Sequence, residues 1–270
     1  ITRKKYARRE KMQRKLILLD IDGTVYDNKN KKIHTSTKEA IKAAKLVGHE
    51  LAIATGRGQF MLYSIEKITS CISHYVLING QHIIANNQTI FEDAIDPKWV
   101  EDLVASMDKH DVTYGFESVT QEAVNRIDEG VLKSFDILNL KVPPLNDSFH
   151  KQSRVHQMWC FCNEKTIERL KMENPNFQFL KWLTVGYDII KKDQSKGKGV
   201  LRLGKHLKIK PEDMIAIGDG ENDIEMFKTV GFSIAMGNAS SNVKEAADYV
   251  ADPIDEDGLY KAFKALKLIP

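Results

Sequence analysis

Short apolar runs recur along this chain, and each is followed at once by polar, glycine-bearing residues. Leu16-Ile17-Leu18-Leu19 runs into Asp20-Ile21-Asp22-Gly23-Thr24, and Leu51-Ala52-Ile53-Ala54 runs into Thr55-Gly56-Arg57. Residues 75–78 lead to Asn79-Gly80, and residues 214–217 lead to Gly218-Asp219-Gly220-Glu221-Asn222-Asp223. Runs of this length without alternation predict strands buried on both faces, as in a parallel sheet covered by helices. Between the first two runs, Thr35-Ser36-Thr37 offers an N-cap. Ala40, Ile41, Ala44 and Val47 follow at helical spacing, and Gly48 closes the helix. A second helix is predicted over 60–68, which gives a β-α-β-α-β rhythm and a parallel sheet with crossover helices.

From about Gln81 to Tyr187 the texture changes. Strand-like pieces, including 158–162, alternate with helices predicted over 98–110 and 165–171, and a turn-rich stretch surrounds Pro143-Pro144. This pattern predicts an α+β unit with a largely antiparallel sheet, inserted into the first domain. The parallel rhythm resumes at Lys196, with helices predicted over 199–207, 224–230, 242–247 and 258–266 and strands over 214–217, 232–235 and 249–251. The expected division is 1–14 as a basic extension outside the fold, 15–81 and 188–270 as an α/β, Rossmann-like core, and 82–187 as an inserted cap. Pivots are expected near 81–85 and 186–192.

A chain of 270 residues with 42% hydrophobic and 29% charged residues has the make-up of an ordinary globular protein. No apolar run approaches the ~20 residues of a membrane span, and no secretory pattern is present. The three cysteines, Cys71, Cys160 and Cys162, are too few and scattered for a disulfide framework, so buried thiols and a cytoplasmic setting are expected. The net charge of +3 is unevenly distributed. Residues 1–15 hold eight Lys/Arg against one Glu, which leaves the body at −4. Met12 stands just before the first strand, so the leader reads as an upstream extension, and the acidic body argues against a nucleic-acid partner.

Two carboxylates one residue apart at a strand end share a face of the extended chain. They sit at the carboxyl edge of the sheet, where open α/β folds bind ligands. Such a pair can hold a hard cation or divide the work of nucleophile and general acid. Thr55-Gly56-Arg57 adds a hydroxyl, a permissive backbone and a guanidinium. Lys196 lies just before a helix, and the 218–223 loop adds three acids and an amide. Gathered at one edge, these supply cationic and hydroxyl groups for an anion and carboxylates for a metal.

In this order the four clusters resemble the four motifs of the haloacid dehalogenase superfamily, and the insertion resembles the large α/β cap of its Cof-type phosphatases. The resemblance covers the chain from Lys15 onward. It implies hydrolysis of small phosphomonoesters such as sugar phosphates, with Asp20 as the nucleophile that becomes an aspartyl phosphate and Asp22 as the acid and base. It implies Mg²⁺ held by Asp20, the backbone carbonyl of Asp22, and Asp219. Thr55, Gly56, Arg57, Lys196 and Asn222 are expected at the phosphate or substrate, with pairing to an acid the alternative for Arg57, and Asp223 supporting them from behind.

Other readings remain open from sequence. A phosphosugar mutase of the same superfamily would keep Asp22, and a non-catalytic phospho-metabolite-binding protein is a further alternative. Gly218-x-Gly220 lacks the third glycine of a dinucleotide fingerprint. The partner expected is a small phosphorylated metabolite, and the oligomer a monomer or small homo-oligomer. Within the cap, Gly115-Phe116-Glu117 is the segment expected to meet substrate. His82 and His156 are expected as ordinary packed histidines, and Trp159 and Phe161 as cap core.

Overall fold

The computed structural model describes residues 14–182 and 185–270. The leader up to residue 13, with Met12, lies outside the described residues. Arg14, the last residue of the expected extension, pairs with Glu50.

Thirteen strands are described. They are β1 (Leu16–Leu19), β2 (Glu50–Ala54), β3 (His74–Leu77), β4 (His82–Ala85), β5 (Gln88–Glu92), β6 (Thr113–Glu117), β7 (Glu122–Val124), β8 (Gln157–Phe161), β9 (Phe177–Lys181), β10 (Gly186–Lys191), β11 (Met214–Gly218), β12 (Phe232–Ala235) and β13 (Tyr249–Val250). They form an eight-stranded sheet of order β13-β12-β11-β1-β2-β3-β4-β5 and a five-stranded sheet of order β7-β6-β8-β10-β9. The first is parallel from β13 to β3 and ends in the antiparallel pair β4 and β5. The apolar runs behave as their lack of alternation requires. Ile17 and Leu19 pack on one face of β1, Leu16 and Leu18 on the other, and all four are fully buried.

Several expectations are adjusted. The division expected at residue 82 does not coincide with the division between sheets. The β4–β5 hairpin turns on Asn86 and Asn87, both at positive φ, and its Ile83, Ala85 and Ile84 are buried on the two faces of the larger sheet. β10, which spans the other expected boundary, belongs to the smaller sheet. The chain therefore passes between sheets at 93–95, beyond the segment expected at 81–85, and at 192–195, adjoining the one expected at 186–192. There Asp93 joins the two crossings through Lys191 at 2.5 Å and Gln194 at 2.9 Å. The helix expected over 60–68 is a 3₁₀ helix over Gln59–Cys71. Its buried Leu62, Ile65, Ile68 and Cys71 fall every third residue, the spacing that stacks side chains on a three-residue turn. The cap also holds an unexpected helix, Glu129–Ile137, whose N-cap Asp128 accepts from the Val131 amide at 2.9 Å.

The antiparallel cap sheet obeys a period of two, and this decides what faces the core. Tyr114 and Phe116 of β6, Met158 and Cys160 of β8, and Tyr187 and Ile189 of β10 pack under the helices Pro97–Lys109 and Glu164–Glu173. Glu117, Gln157, Trp159 and Asp188 alternate with these residues and so occupy the opposite face, toward the larger sheet.

A close approach holds the site's two halves together. After β3 the chain turns through Ile78, Asn79 and Gly80, all at positive φ, and Gly80 lies against the start of the helix Lys196–Leu207. A Cβ on Gly80 would stand 2.4 Å from the Ser195 carbonyl oxygen, and one on Gly199 would stand 2.7 Å from Gly80 Cα. Gly80→Ala therefore meets both a left-handed φ of 93° and a backbone clash. It is expected to lower stability by at least about 1–2 kcal/mol, read as an earlier urea midpoint, while Gly48→Ala, at positive φ but with open space, loses less.

Candidate active site

β1 and β11 lie side by side with Leu19 opposite Ile217, and the Asp20 amide donates to the Ile217 carbonyl at 2.9 Å. The polar residues that follow both strands therefore leave the sheet together at its carboxyl edge. Into this edge the helix Lys196–Leu207 delivers its first residue. Lys196 is 1% exposed, and its Nζ donates to Asp20 Oδ1 at 2.9 Å and Asp223 Oδ1 at 2.6 Å. Burial opposes the ammonium charge, but Asp20 and Asp223 more than offset it and raise the Lys196 pKa. Asp223 Oδ2 accepts from the amides of Asp219 at 3.1 Å and Gly220 at 3.0 Å, so one carboxylate both neutralises the lysine and shapes the loop.

Carboxylates outnumber the ammonium. Oxygens of Asp20, Asp219 and Asp223 lie within 4.8 Å of one another. Burial pushes Asp20 up to about 7 despite the opposing pull of Lys196, with Asp223 and Asp22 adding to the rise. Asp219 is pushed well above its ordinary value by burial and by Asp20 and Asp223. Thr24 Oγ1 holds Asp219 Oδ1 at 3.0 Å and Asn238 Nδ2 holds Oδ2 at 3.1 Å. Gly23 allows the approach, since a Cβ there would stand 2.0 Å from Asp219 Oδ2. Crowded, partly neutralised oxygen donors are the donor set of a hard divalent cation. Asp223 is occupied by Lys196 and two amides, which leaves Asp20 and Asp219 as the acids able to hold one.

From sequence Arg57 is expected either at the phosphate or paired with an acid, and the structure pairs it with Asp22. Nε donates to Asp22 Oδ2 at 2.8 Å and Nη2 to Asp22 Oδ1 at 2.5 Å. Nη1 donates to the Met61 carbonyl at 3.3 Å and Ser64 Oγ at 3.1 Å, and Nη2 also reaches the Leu138 carbonyl at 3.1 Å. A guanidinium has five N–H groups, and all five are engaged. Arg57 thus fixes Asp22 and ties it to the cap segment after the helix Glu129–Ile137. Asn28, which sequence reasoning missed, completes the hold by donating to Asp22 Oδ1 at 2.9 Å. Thr55 is buried, and its Oγ1 accepts from the Arg57 amide at 3.2 Å, which leaves the hydroxyl proton free to donate. Gly56 brings its backbone alongside.

A cavity of about 470 Å³ lies between this edge and the cap. Asp20, Asp22, Thr55, Gly56, Arg57, Asp219 and Asn222 line the core side, whereas Lys196 and Asp223 stand behind them. On the cap side stand Glu117, Gln157, Trp159, Asp188, Phe135 and Trp182. Of the expected cap segment, only Glu117 lines the cavity. Phe116 is core, stacked on Phe149 at 5.8 Å between ring centroids, and Gly115 packs against Trp159. Trp159 both packs in the cap and walls the cavity. His156 pairs with Glu92 at 3.0 Å and His82 meets Thr89 at 3.0 Å, and neither lines the cavity.

Asn79 joins the two sides. Its Nδ2 donates to Gln157 Oε1 and to Asp188 Oδ2, each at 2.7 Å, and its Oδ1 accepts from Asn222 at 3.1 Å. Gln157 Nε2 donates to Glu117 Oε2 at 2.9 Å and to the Gly56 carbonyl at 3.2 Å. The signal for Asn79 in the sequence was its place in an Asn-Gly turn after a buried strand. Gln157 and Asp188 gave no such signal.

A family model for haloacid dehalogenase-like hydrolases matches residues 17–263. The Bacillus subtilis (strain 168) protein named "Putative phosphatase YkrA" is 33% identical over 260 residues, which cover 96% of this chain and all of that one. A phosphoglycolate phosphatase of Methanosarcina acetivorans is 27% identical across 95% of this chain and 98% of its own length. Among solved structures, the HAD subclass IIB sugar phosphatase BT4131 superposes with a TM-score of 0.89 at 32% identity, covering 94% of this chain and 100% of that one. The match spans both sheets and all four strand-end clusters, and the chain belongs to the haloacid dehalogenase-like hydrolases, in their Cof-type branch.

Proposed function

We propose that this protein is a Mg²⁺-dependent cytoplasmic phosphatase that hydrolyses small phosphomonoesters, sugar phosphates or similar metabolites, through an aspartyl phosphate on Asp20. The observation that carries this reading is the juxtaposition at one cavity edge of Asp20, backed by Lys196, with Asp22 held by Arg57. Among the described residues, no helix is long and apolar enough to cross a membrane.

Asp20 attacks phosphorus through its free Oδ2 while Lys196 holds Oδ1. As the P–O bond to the leaving group breaks, Asp22 gives that oxygen a proton. A water then attacks the aspartyl phosphate, Asp22 takes the water's proton, and the P–O bond to Asp20 breaks to release phosphate. One residue serves both steps because the acid spent in the first is the base needed in the second. Thr55 Oγ and the third Lys196 proton are available to the phosphoryl oxygens, where positioned charge does most of the work. Mg²⁺ held by Asp20 and Asp219 would neutralise charge shared between the nucleophile and the phosphate.

Asp20→Asn is expected to lower hydrolysis of p-nitrophenyl phosphate by at least about a thousandfold, and retained activity would exclude Asp20 as the nucleophile. Asp22→Asn is expected to lose turnover but still bind orthovanadate, and loss of that binding would end the separation of roles between the two acids.

The raised carboxyl values give a second test. Between 3.8 and about 7 the folded chain keeps a proton on Asp20 that the unfolded chain has released, so stability falls as pH rises through that window. A cation needs its ligands deprotonated and replaces that proton as the neutralising charge. Mg²⁺ is therefore expected to raise the thermal midpoint more above pH 7 than below it, and Asp219→Asn to remove the rise. An equal rise at both pH values would contradict the assignment.

A further inference from the structure

The cavity has two ends of different chemistry, and the distribution of charge between them restricts what can leave with the phosphate. The lining includes two cationic side chains, Arg57 and Lys181. Arg57 has all five N–H groups engaged, and Lys181 pairs with Glu164 at 2.6 Å. Lys196, behind the core wall, is held between two carboxylates. Beyond the phosphoryl position, then, no unpaired cation remains for a second anion among the described residues that line the cavity.

Acids stand there instead. Asp188 is 8% exposed and borders the cavity beside the phosphate loop, with Oδ2 3.0 Å from where a Gly56 Cβ would lie. Oδ2 accepts from Asn79, but Oδ1 makes no hydrogen bond among the described residues. Behind it Glu117 is fully buried and accepts from Gln157 through Oε2; the Gly58 amide also donates to the Glu117 carboxyl, which burial pushes well above the ordinary value. Glu122, paired with Glu117 across β6 and β7, adds a further buried oxygen without a partner. A buried acceptor with no donor is costly to leave unmatched, and a ligand hydroxyl or ammonium would supply the donor. The wall beyond it is Phe135, Trp159 and Trp182, which suits the apolar face of a carbon skeleton.

We propose that Asp188, with Glu117 behind it, selects the leaving group by charge: it accepts a hydrogen bond from a hydroxyl or ammonium group near the ester and turns away leaving groups that carry a carboxylate. This inference rests on the phosphatase reading and narrows its substrate to esters of neutral or amino-bearing polyols. Burial pushes Asp188 up to about 7, so above neutral pH it is ionised, and among phosphomonoesters of equal size the negative member is then penalised by repulsion from it and finds no unpaired cation in the lining.

Matched pairs test this. Glycerol 3-phosphate and 3-phosphoglycerate differ in having a terminal carbinol or a carboxylate, and sorbitol 6-phosphate and 6-phosphogluconate repeat the contrast on a longer skeleton. With the wild-type protein and Mg²⁺ at a pH above the pKa of the Asp188 carboxyl, kcat/KM is expected to favour the hydroxyl member of each pair by at least about tenfold. Asp188→Asn keeps an acceptor for Asn79 while removing the charge. It is expected to shrink both ratios by about tenfold. A wild-type preference for the carboxylate members would overturn the proposal, as would ratios unmoved in an Asp188→Asn protein that still cleaves p-nitrophenyl phosphate. Should that variant misfold, the wild-type ratios decide alone. A wild-type protein inert toward every ester would instead remove the phosphatase reading itself.

Discussion

Lys196, buried between Asp20 and Asp223, is the interaction on which the rest of the site depends. A buried ammonium is tolerated only where carboxylates meet it, and removing one member of such a group costs about 3–5 kcal/mol. The constraint extends outward from there. Asp223 can face the lysine only if the loop after β11 bends so that its other oxygen collects the amides of Asp219 and Gly220. That bend aims Asp219 at Asp20. Lys196 can reach them only if its helix begins hard against the turn after β3, which requires Gly80 and Gly199 to touch. The nucleophile, the candidate metal acids and the cap seam are thus positioned by one electrostatic group.

A second group sets the proton chemistry. Arg57 holds Asp22 with two N–H groups and the Leu138 carbonyl of the cap with another. The acid/base residue is therefore connected to the cap as well as to the core. Tyr26 and Tyr63 make parallel connections, to Asn139 at 2.6 Å and to the Lys141 amide at 2.9 Å. Withdrawal of this cap segment would remove an acceptor from Arg57 and admit water to the cavity, so cap position and the setting of Asp22 are physically linked.

The core was legible in the sequence because its strands are buried on both faces and end in chemistry that only a shared edge makes sensible. Asp20, Lys196 and Asp219 were readable from their strand and helix ends and are brought together. Arg57 shows the limit, since its residue type suits phosphate and carboxylate alike, and only geometry shows its five donors engaged. The cap was less legible. Asp188 and Gln157 sit in strands whose function depends on which face turns inward, and that is set by register against β8 and by the helices on the other side. The β4–β5 hairpin was misplaced for a related reason, because an apolar hairpin can extend either sheet and only pairing with β3 assigns it.

Phosphoryl transfer through Asp20 requires a covalent phosphoryl group on the carboxylate that Lys196 holds. Rapid acid quench of the protein during turnover of p-nitrophenyl phosphate, followed by mass spectrometry of proteolytic fragments, tests it most directly. One phosphoryl group is expected, on the fragment that carries Asp20. A phosphoryl group on any other residue, or continuing turnover with no covalent phosphate at any quench time, would contradict it.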